Sequence, residues 1–535
     1  MGQHRALAIA DAEAEQEPAI RLLSDPATHG GAPVTRIDTH ISHVFVAAGR
    51  ALKLKRAIRR NFLDYSSVEK RRAACLRELE VNRRTAPALY LGVLPVTRGG
   101  GRLALGGEGE AVDWVVEMQA FDRSQEFDRL AEEGRLSEAQ VTALADVIAA
   151  FHARAERRPD QGGAEAVAAT IRQVAGAIEA ASPAAGRTAR AWREAALGAL
   201  GPLRPRLESR RRHGFVRRCH GDLHLGNVVL VDGRPTPYDA IEFNEAMATT
   251  DILYDLAFPV MDLLAHGERR LASALLNRAL ARSRDWSGAG LLPLFISMRA
   301  AVRAIAAAGR AEAEAARLLA LASAVLADRP PPRLIAIGGV SGSGKSTLAH
   351  ALAPRLGGPF GALLVRSDVA RKVLMGVEPE ASLPAEAYLP EVTRRVYASL
   401  LRDAGRALRA GATVILDATF LDPAERAAAA SLAARAGAAF EAIWLEGPAA
   451  LFADRIAARV RDASDATPAV LARQVARDTG PIDWTRLAAG AEAVAETALA
   501  HLARRGVPLA RPLSAPDRPA ERAAGDHKGR ASLPR

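Results

Sequence analysis

The stretch RLIAIGGVSGSGKSTLAHAL, residues 333–352, joins an apolar run to a glycine-rich turn and then to a helical pattern. The turn fits the spacing G-x-x-x-x-G-K-[ST], and a strand before it and a helix after it are the context in which this motif binds phosphate. Glycines let the backbone curve around a phosphate group, with N–H groups pointing inward at the positive end of the helix dipole. Lys345 would reach the β- and γ-phosphates, and Ser346 would bind Mg²⁺. The predicted nucleotide-binding residues of this loop are Gly339, Ser341, Gly342, Ser343, Gly344, Lys345, Ser346 and Thr347.

Strands and helices alternate on both sides of this motif. The apolar runs LIAIGG, ALLVRSD, TVILDATF and EAIWLEG each precede a helical pattern, which is typical of a doubly wound parallel sheet. We therefore predict an α/β P-loop domain over residues 334–505. The residues after Gly506 contain five prolines and no periodicity, which predicts a disordered basic tail over 506–535.

Two carboxylates and two arginines are further candidates in this half. Asp368 follows an apolar strand, where a carboxylate can deprotonate an attacking hydroxyl, although a helix N-cap is the competing interpretation. Asp417 follows the apolar run TVIL, as a carboxylate that holds Mg²⁺ through water does, and a capping role is again the alternative. Arg455 and Arg459 are four residues apart on a predicted helix, where they would clamp a transferring phosphate or form an exposed basic face.

The run from Leu334 to Gln474 resembles the P-loop small-molecule kinases, the group that contains gluconate kinase, zeta-type toxins and the polynucleotide 5′-kinases. The spacing R-S-D-x-x-R over residues 366–371 is most similar to the polynucleotide kinases. This resemblance implies phosphoryl transfer, with Asp368 as the base that activates the acceptor hydroxyl. It does not specify the acceptor.

Three consecutive prolines in ADRPPPR, residues 327–333, end the helical sequence that precedes the P-loop domain. Such a run cannot continue a helix and favours stiff extended chain, so we predict a linker there. Upstream, β-like runs such as HVFVAA and ALKLK give way after Phe121 to alanine-rich helices. We predict one domain over 31–326, of class α+β, with a small lobe over about 31–120 and a large lobe over about 121–326. Residues 1–30 lack clear periodicity and are predicted to be a weakly ordered lead-in.

The large lobe contains CHGDLHLGNVVL, residues 219–230, with the order H-x-D-x-x-x-x-N. Phosphotransferases use such a set because a carboxylate accepts the proton of the substrate hydroxyl while an amide five residues later holds a metal. Asp222 and Asn227 occupy these positions. Asp239, in PYDAIEFN, is the candidate for a second metal contact.

Two lysines of the run ALKLK, Lys53 and Lys55, point to the same side of a predicted strand. One of them would contact the α- and β-phosphates and pair with a glutamate on the next helix, for which Glu78 is the candidate. We prefer Lys53, and lysines at an exposed strand edge are the competing interpretation.

Residues 35–325 resemble the aminoglycoside phosphotransferase and choline kinase branch of the protein-kinase-like fold. The similarity runs from THISHVF through FLDYSSVEKRRAACLRELEVNRR to DILYDLAFPVMDL. It implies a bilobal kinase-like domain that uses ATP and Mg²⁺. The site residues that it implies are the base Asp222, the Mg²⁺ ligands Asn227 and Asp239, and the phosphate-positioning pair Lys53 and Glu78.

One departure from that family concerns the phosphate cover. The kinase loop G-x-G-x-x-G is absent, and VAAGRA supplies a single glycine, Gly49, between the first strands. A short hairpin must therefore cover the phosphates, with Thr39 or Ser42 as candidates. None of these motif residues specifies an antibiotic as acceptor.

Composition excludes several classes of protein. The chain has 535 residues, of which 49% are hydrophobic and 25% charged, as in a globular protein and unlike a fibrous or disordered one. The net charge of +11 is concentrated in residues 204–218 and 505–535, which argues against a broad nucleic-acid-binding face. Two distant cysteines, Cys75 and Cys219, argue against a disulfide framework and a zinc site. The absence of an apolar N-terminal segment and of a long uncharged apolar run predicts a cytoplasmic protein without a membrane partner.

These observations predict two kinase modules in one chain, each with ATP, Mg²⁺ and a small-molecule hydroxyl acceptor. One alternative is a single active kinase whose other domain is an ATP-dependent regulator or a binding module. Another is a C-terminal polynucleotide 5′-hydroxyl kinase, which the nearly neutral charge outside two segments disfavours. The sequence identifies neither acceptor, and it indicates neither an oligomeric state nor coupling between the domains.

Overall fold

The computed structural model describes residues 15–60, 63–458, 464–491 and 493–511. Its first part is an antiparallel six-stranded sheet with the order β1-β2-β3-β8-β6-β7, against which helix α2 packs. Helix α2 begins after Ser67, whose hydroxyl accepts a hydrogen bond from the Lys70 backbone N–H, as an N-cap does. The elements of this small lobe are α1 (15–24), β1 (Thr35–Asp38), β2 (Ser42–Ala47), β3 (Arg50–Lys55), β4 (Arg59–Arg60), β5 (Leu63–Asp64), α2 (Val68–Asn82), β6 (Tyr90–Gly99), β7 (Arg102–Leu105) and β8 (Glu110–Gln119).

The predicted lead-in is more ordered than its sequence suggested. Residues 15–24 form helix α1, and Ile20 and Leu23 are buried in the same apolar cluster as Leu52 of the sheet. Gln16 is also buried, and its amide donates to the carboxylate of Asp113 over 2.7 Å. The prediction of a weakly ordered segment is therefore wrong for residues 15–30, because the sheet provides a partner that the short apolar pattern did not reveal. Residues 1–14 lie outside the described residues.

The large lobe is mainly helical. Helix α4 begins with a capping box, in which Ser137 and Gln140 exchange side-chain to backbone hydrogen bonds. The elements are α3 (Phe127–Glu132), α4 (Glu138–Arg154), α5 (Gly163–Ala181), α6 (Pro183–Leu200), α7 (Arg204–Arg212), β9 (Val216–Arg218), β10 (Val228–Val231), β11 (Arg234–Pro237), α8 (Glu245–Ala248), β12 (Thr249–Asp251), α9 (Ile252–Ala265), α10 (Arg269–Ser283), α11 (Leu292–Ala307) and α12 (Glu312–Ala327).

One segment of this lobe is long and apolar enough to cross a membrane. It runs from Trp286 to Ala307, and 67% of its most apolar window is buried inside the structure. Burial of this extent is what a core helix of a folded domain shows.

The second half contains a five-stranded parallel sheet with the order β14-β15-β13-β16-β17. The glycine-rich loop follows the central strand, β13. The four strands predicted from apolar runs are present, and β17 at one edge is a strand that the sequence did not reveal. The elements are β13 (Arg333–Gly338), α13 (Lys345–Leu352), β14 (Leu363–Arg366), α14 (Ser367–Met375), α15 (Pro390–Arg409), β15 (Val414–Asp417), α16 (Pro423–Arg435), β16 (Ala439–Glu446), α17 (Ala449–Ala457), α18 (Pro468–Val475), β17 (Thr485–Ala488) and α19 (Val494–Arg504). Short 3-10 turns occur at Pro26–His29, Arg123–Gln125, Gly201–Leu203, Leu225–Asn227, Trp286–Leu291, Ala353–Arg355 and Ala385–Tyr388.

The start of the predicted tail packs against this sheet domain. Val507 is buried, and the Gly357 N–H donates to the Pro508 carbonyl. Disorder from residue 506 is therefore wrong as far as residue 510, because backbone hydrogen bonds hold that segment beside Arg355 and Leu356. Residues 512–535 lie outside the described residues.

The two halves are in direct contact. Helix α12 ends at Ala327 and β13 begins at Arg333, so the proline run connects the halves over a short distance. One continuous cluster of buried apolar side chains includes Leu276 and Leu280 of α10 together with Leu400 and Leu408 of α15. The prolines are therefore a connection between packed halves, whereas the sequence suggested a spacer.

Candidate active sites

The loop that carries Asp222 is held by two aspartates of helix α9. The carboxylate of Asp255 accepts hydrogen bonds from the backbone N–H groups of His220 (3.2 Å) and Gly221 (2.9 Å). Asp262 accepts one from Leu225 N–H at 2.9 Å. Gly221 has a φ of +87°, and a Cβ there would lie 3.1 Å from the Ala248 backbone, so the loop requires glycine at this point.

The structure brings the predicted base and both predicted metal ligands of this half together. The Asn227 amide donates to the Asp222 backbone carbonyl over 2.9 Å and to its carboxylate over 3.3 Å. Strands β10 and β11 pair so that Tyr238 N–H donates to the Asn227 carbonyl, which places Asp239 beside Asn227. Asp239 has a φ of +60°, an uncommon conformation for a residue other than glycine. Carboxylate and amide oxygens are the ligands that Mg²⁺ prefers, so this group fits the metal.

Both lysines of β3 contact Glu78 of α2. Lys53 Nζ lies 2.8 Å from one Glu78 oxygen and Lys55 Nζ lies 2.5 Å from the other. Lys53 also contacts Asp239 over 2.7 Å, whereas Lys55 contacts Glu242 and is completely buried. Lys53 therefore links the small lobe to the predicted metal ligand, and Lys55 forms an interior ion pair.

Electrostatics keep the Asp222 carboxylate ionised. Burial by itself would raise its pKa, but His224, whose Nε2 lies 3.5 Å from the carboxylate, contributes most to lowering the pKa to about 2. Burial would also raise the pKa of Glu78, and the charges of Lys53 and Lys55 lower it to about 2. His224 is a neighbour that the sequence analysis did not select, although it lies between Asp222 and Asn227 in the motif CHGDLHLGNVVL.

The two residues predicted to cover the phosphates, Thr39 and Ser42, lie in and just after the turn between β1 and β2. The Thr39 hydroxyl accepts from Ser42 N–H and donates to the Ser42 carbonyl, so it closes the turn itself. Ser42 is fully buried. The Thr39 hydroxyl is therefore engaged in the turn, and the Ser42 hydroxyl lies in the interior. On the other side of the turn, Arg310 of the large lobe contacts His40 over 3.0 Å.

The basic segment 204–218 is in large part an internal ion-pair network. Arg210 is buried and contacts Asp251 over 2.6 Å and Asp285 over 2.7 Å. Arg218 is buried and contacts Glu245 over 2.8 Å. Carboxylates of the protein itself therefore balance part of the positive charge of this segment, and these arginines need no anionic ligand.

The second site surrounds the glycine-rich loop between β13 and α13. Gly342 has a φ of +82°, and a Cβ there would lie 2.5 Å from the Phe452 carbonyl oxygen, so only glycine fits. The loop opens onto a cavity of about 1270 Å³. Predicted residues that line this cavity are Ser341, Gly342, Ser343, Gly344, Lys345, Ser346, Thr347, Asp368, Asp417 and Arg455. Gly339 precedes this group in the loop, with a φ of +137°.

The candidate metal ligands of the second site are in contact. The Ser346 hydroxyl donates to the buried Asp417 carboxylate over 2.6 Å. Arg366 Nε also donates to that carboxylate (3.1 Å), and Arg366 Nη2 donates to the Ser346 oxygen (3.0 Å). A hydroxyl and a carboxylate at the mouth of a phosphate loop are a donor set that fits Mg²⁺. The contacts of Arg366 were not foreseen, although this residue begins the R-S-D-x-x-R motif.

Asp368 lies in the first turn of α14 and lines the cavity. Burial raises its pKa, and the positive charge of Arg366 opposes that shift only in part. The N-cap residue of α14 is Arg366, and its side chain makes no capping hydrogen bond, so Asp368 is not the N-cap that the competing interpretation expected. Arg371, one turn later, is buried and donates to the Ala387 carbonyl over 2.6 Å.

Of the two arginines predicted to clamp a phosphate, Arg455 and Arg459, the structure describes only Arg455. Arg455 lies in the cavity, where its guanidinium donates to the carbonyls of Ala489 (2.9 Å) and Ser343 (3.5 Å). Arg459 lies outside the described residues. Gln474 of α18 was not predicted, yet its side-chain oxygen accepts the Ser341 N–H of the phosphate loop over 2.7 Å. No motif signalled Gln474, because its position depends on how α18 packs.

Comparisons with known proteins match both halves. The pattern of a phosphotransferase enzyme family matches residues 64–292, and the pattern of an AAA domain matches residues 334–481. An uncharacterised protein of Mycobacterium tuberculosis is 32% identical over 469 residues, which cover 84% of this chain and 90% of that protein. An uncharacterised protein of Mycobacterium bovis matches to the same extent.

Solved structures show weaker similarity. A gluconokinase from Sinorhizobium meliloti is 22% identical, covers 33% of this chain and 95% of its own, and has a TM-score of 0.24. A choline/ethanolamine kinase family protein from Mesorhizobium loti is 14% identical, covers 58% of this chain and 95% of its own, and has a TM-score of 0.36. TM-scores this low support no inference about the present chain.

Proposed function

Because this chain belongs to the family of the uncharacterised mycobacterial proteins and joins a phosphotransferase domain to a P-loop domain, we propose that it carries two active kinase modules. The two family matches make the chain an enzyme of the kinase class. The proposal adds that each module transfers the γ-phosphoryl group of ATP to a hydroxyl group of its own small-molecule acceptor.

The observation that carries this proposal is that one chain holds two separate sets of residues suited to phosphoryl transfer. The first set surrounds Asp222 where side chains of the two lobes meet, with Asn227 in contact. The second set lines the cavity at the phosphate loop, with Asp368 and Asp417. A merely regulatory domain would not need a carboxylate in the position of a base.

In each module the acceptor hydroxyl gives its proton to the aspartate, Asp222 or Asp368, as its oxygen attacks the γ-phosphorus. The bond from that phosphorus to the β–γ bridging oxygen breaks, and ADP leaves with the electron pair. Lys53 in the first module and Lys345 in the second would hold the phosphates in line for attack. Bound Mg²⁺ would neutralise phosphate charge, held by Asn227 and Asp239 or by Ser346 and Asp417.

The test is transfer of label from γ-labelled ATP into a fractionated metabolite extract. Wild-type protein is compared with Asp222→Asn and with Lys345→Ala. Asp232→Asn, in the turn between β10 and β11, and Lys70→Ala, an exposed lysine of the small lobe, are the matched controls. We expect each site variant to abolish a different labelled product, while both controls retain all products.

Two results would replace the proposal with an alternative. If one site variant removes every product, the other domain is a regulator or a binding module. If the Lys345-dependent product appears only when a 5′-hydroxyl oligonucleotide is added, the acceptor of the second module is a nucleic acid, and its labelling will fall steeply with added salt.

A further inference from the structure

Helix α10 of the first domain completes the edge of the second domain's sheet. Strand β14 is an outer strand, so within the described part of the chain one side of its backbone has no neighbouring strand. The buried side chain of Asn277 lies against that side. Its oxygen accepts the Leu364 N–H over 2.7 Å, and its Nδ2 donates to the Ala362 carbonyl over 3.2 Å. One amide therefore satisfies two backbone groups that would otherwise be buried without partners.

Arginines of the same helix hold the chain that follows β14. Arg278 contacts Glu380 over 2.9 Å, and Arg282 contacts Glu378 over 2.5 Å. Both glutamates lie in the segment after α14, which continues towards the 3-10 turn Ala385–Tyr388. Just beyond α10, Arg284 contacts the buried Asp403 of α15 over 2.7 Å.

These contacts reach one half of the second site. The chain from β14 to α15 supplies the cavity wall that contains Asp368, Arg371, Tyr388 and Tyr397. The phosphate loop and the metal-binding pair instead belong to β13, α13 and β15. Helix α10 therefore contacts the chain on both sides of α14, the helix that carries the candidate base Asp368.

We propose that Asn277, supported by Arg278 and Arg282, is a positioning residue for the reaction of the second domain. The first domain then sets the place of Asp368 relative to the γ-phosphate, through β14 and the start of α14. A displacement of about 1 Å at a reacting group can reduce the rate by about a hundredfold, so this support matters for turnover. The inference rests on the proposed kinase activity of the second domain.

The first test uses the full chain with Asn277→Leu, which nearly keeps the volume but leaves Leu364 N–H and the Ala362 carbonyl without partners. We expect the kcat of the Lys345-dependent transfer to fall by at least about tenfold. The Kd for MgATP at the phosphate loop, measured in a Lys53→Met background that weakens nucleotide binding at the first site, should change by less than about twofold. Without that background, the rate of the product that depends on Asp222 should also change by less than about twofold. Asn277→Asp keeps an acceptor for Leu364 N–H, so its kcat should lie between those of wild type and Asn277→Leu.

The control is Arg270→Ala on the same helix. Arg270 is exposed and pairs with Glu138, inside the first domain, so its loss should leave both products unchanged. If Asn277→Leu does not fold, Glu378→Arg replaces it, because this exposed residue would then face Arg282. Glu378→Arg should lower the same kcat, and Glu378→Gln, which removes the ion pair without placing a second positive charge beside Arg282, should lower it less. Arg282 itself is kept, because it also contacts Asp146 over 3.4 Å.

Hydrogen exchange separates this inference from the proposed function. Asn277→Leu should speed amide exchange in residues 363–375 and leave residues 334–352 unchanged. If wild-type protein forms no Lys345-dependent product, the proposed function fails, and this exchange pattern still decides whether α10 orders β14 and α14. The inference is overturned if exchange in 363–375 is unaltered, or if kcat and MgATP affinity fall together as in general destabilisation.

Discussion

At the residue scale, the two candidate bases lie in surroundings that shift their pKa values in opposite directions. Interaction with His224 outweighs burial at Asp222 and brings its pKa to about 2. At Asp368 burial prevails over the nearby positive charges and raises the pKa. A carboxylate of low pKa is ionised at every neutral and mildly acidic pH, whereas one of raised pKa is protonated sooner as the pH falls.

We therefore predict that the two reactions lose activity at different acid pH values. As the pH is lowered, transfer that depends on Lys345 should decline first, because protonated Asp368 cannot accept the hydroxyl proton. Transfer that depends on Asp222 should persist to lower pH. The measurement is the pH dependence of kcat/KM for each labelled product.

A variant of His224 provides the control for this comparison. His224→Leu removes the group that opposes burial at Asp222, so the pKa of Asp222 should rise and the acid decline of its reaction should move to higher pH. The other reaction should keep its profile. If kcat/KM of both wild-type reactions declined at the same acid pH, the assignment of these aspartates as bases would be contradicted.

At the element scale, strand β3 places two lysines beside one glutamate with different consequences. Lys55 is completely buried, and Glu242, its second partner, is 4% exposed at the side chain. The second partner of Lys53 is Asp239, whose side chain is 44% exposed and can be solvated when the lysine is removed. Lys55 is thus suited to stabilise the fold, and Lys53 is suited to contact the phosphates of ATP.

We predict that Lys55→Met lowers the free energy of unfolding by about 3 kcal/mol, because among the described residues it leaves the buried Glu242 carboxylate with the Tyr65 hydroxyl as its remaining partner. Lys53→Met should cost less stability but should raise the KM for ATP in the Asp222-dependent reaction. Urea unfolding and steady-state kinetics of both variants measure the two effects. Equal losses of stability, with no change in KM for Lys53→Met, would assign the phosphate contact to another residue.

The features that could be predicted from the sequence are those whose characteristic residues lie close together along the chain. The residues of the phosphate loop and the Asp222–Asn227 pair are close in sequence, so local spacing alone was enough to select them as candidates. The contacts of Gln474 with Ser341 and of Asn277 with Leu364 join residues far apart in sequence. The packing of distant elements brings those side chains together, and a single sequence contains no pattern that predicts such packing. Helix α1 was missed for the same reason. It has few apolar residues, and their burial depends on a sheet that lies elsewhere in the sequence.

At the scale of the whole molecule, the two domains share a core. Apolar side chains of α10 and α15 belong to one buried cluster, and the edge of the parallel sheet is completed by a side chain of the other domain. The sequence predicted the two halves from their different patterns, but it suggested a stiff spacer between them. The proline run stops a helix, and it does not hold the domains apart.

A shared core predicts that the domains unfold together. Leu276 of α10 is completely buried, and Leu276→Ala should cost about 2–5 kcal/mol through lost burial and a cavity. Because Leu276 belongs to the apolar cluster that both domains share, the same fall in Tm should appear in a probe of either domain. Trp444 and Trp484 report on the second domain once Trp114, Trp192 and Trp286 are replaced by Phe.

The control for this prediction is Leu502→Ala in α19, a buried residue of the separate apolar cluster on the other side of the parallel sheet. If the domains form one cooperative unit, Leu502→Ala also lowers a single common Tm, measured by calorimetry and by fluorescence. Two separate transitions, with Leu276→Ala moving only the one that belongs to the first domain, would show that the domains fold independently and that the shared core does not couple them.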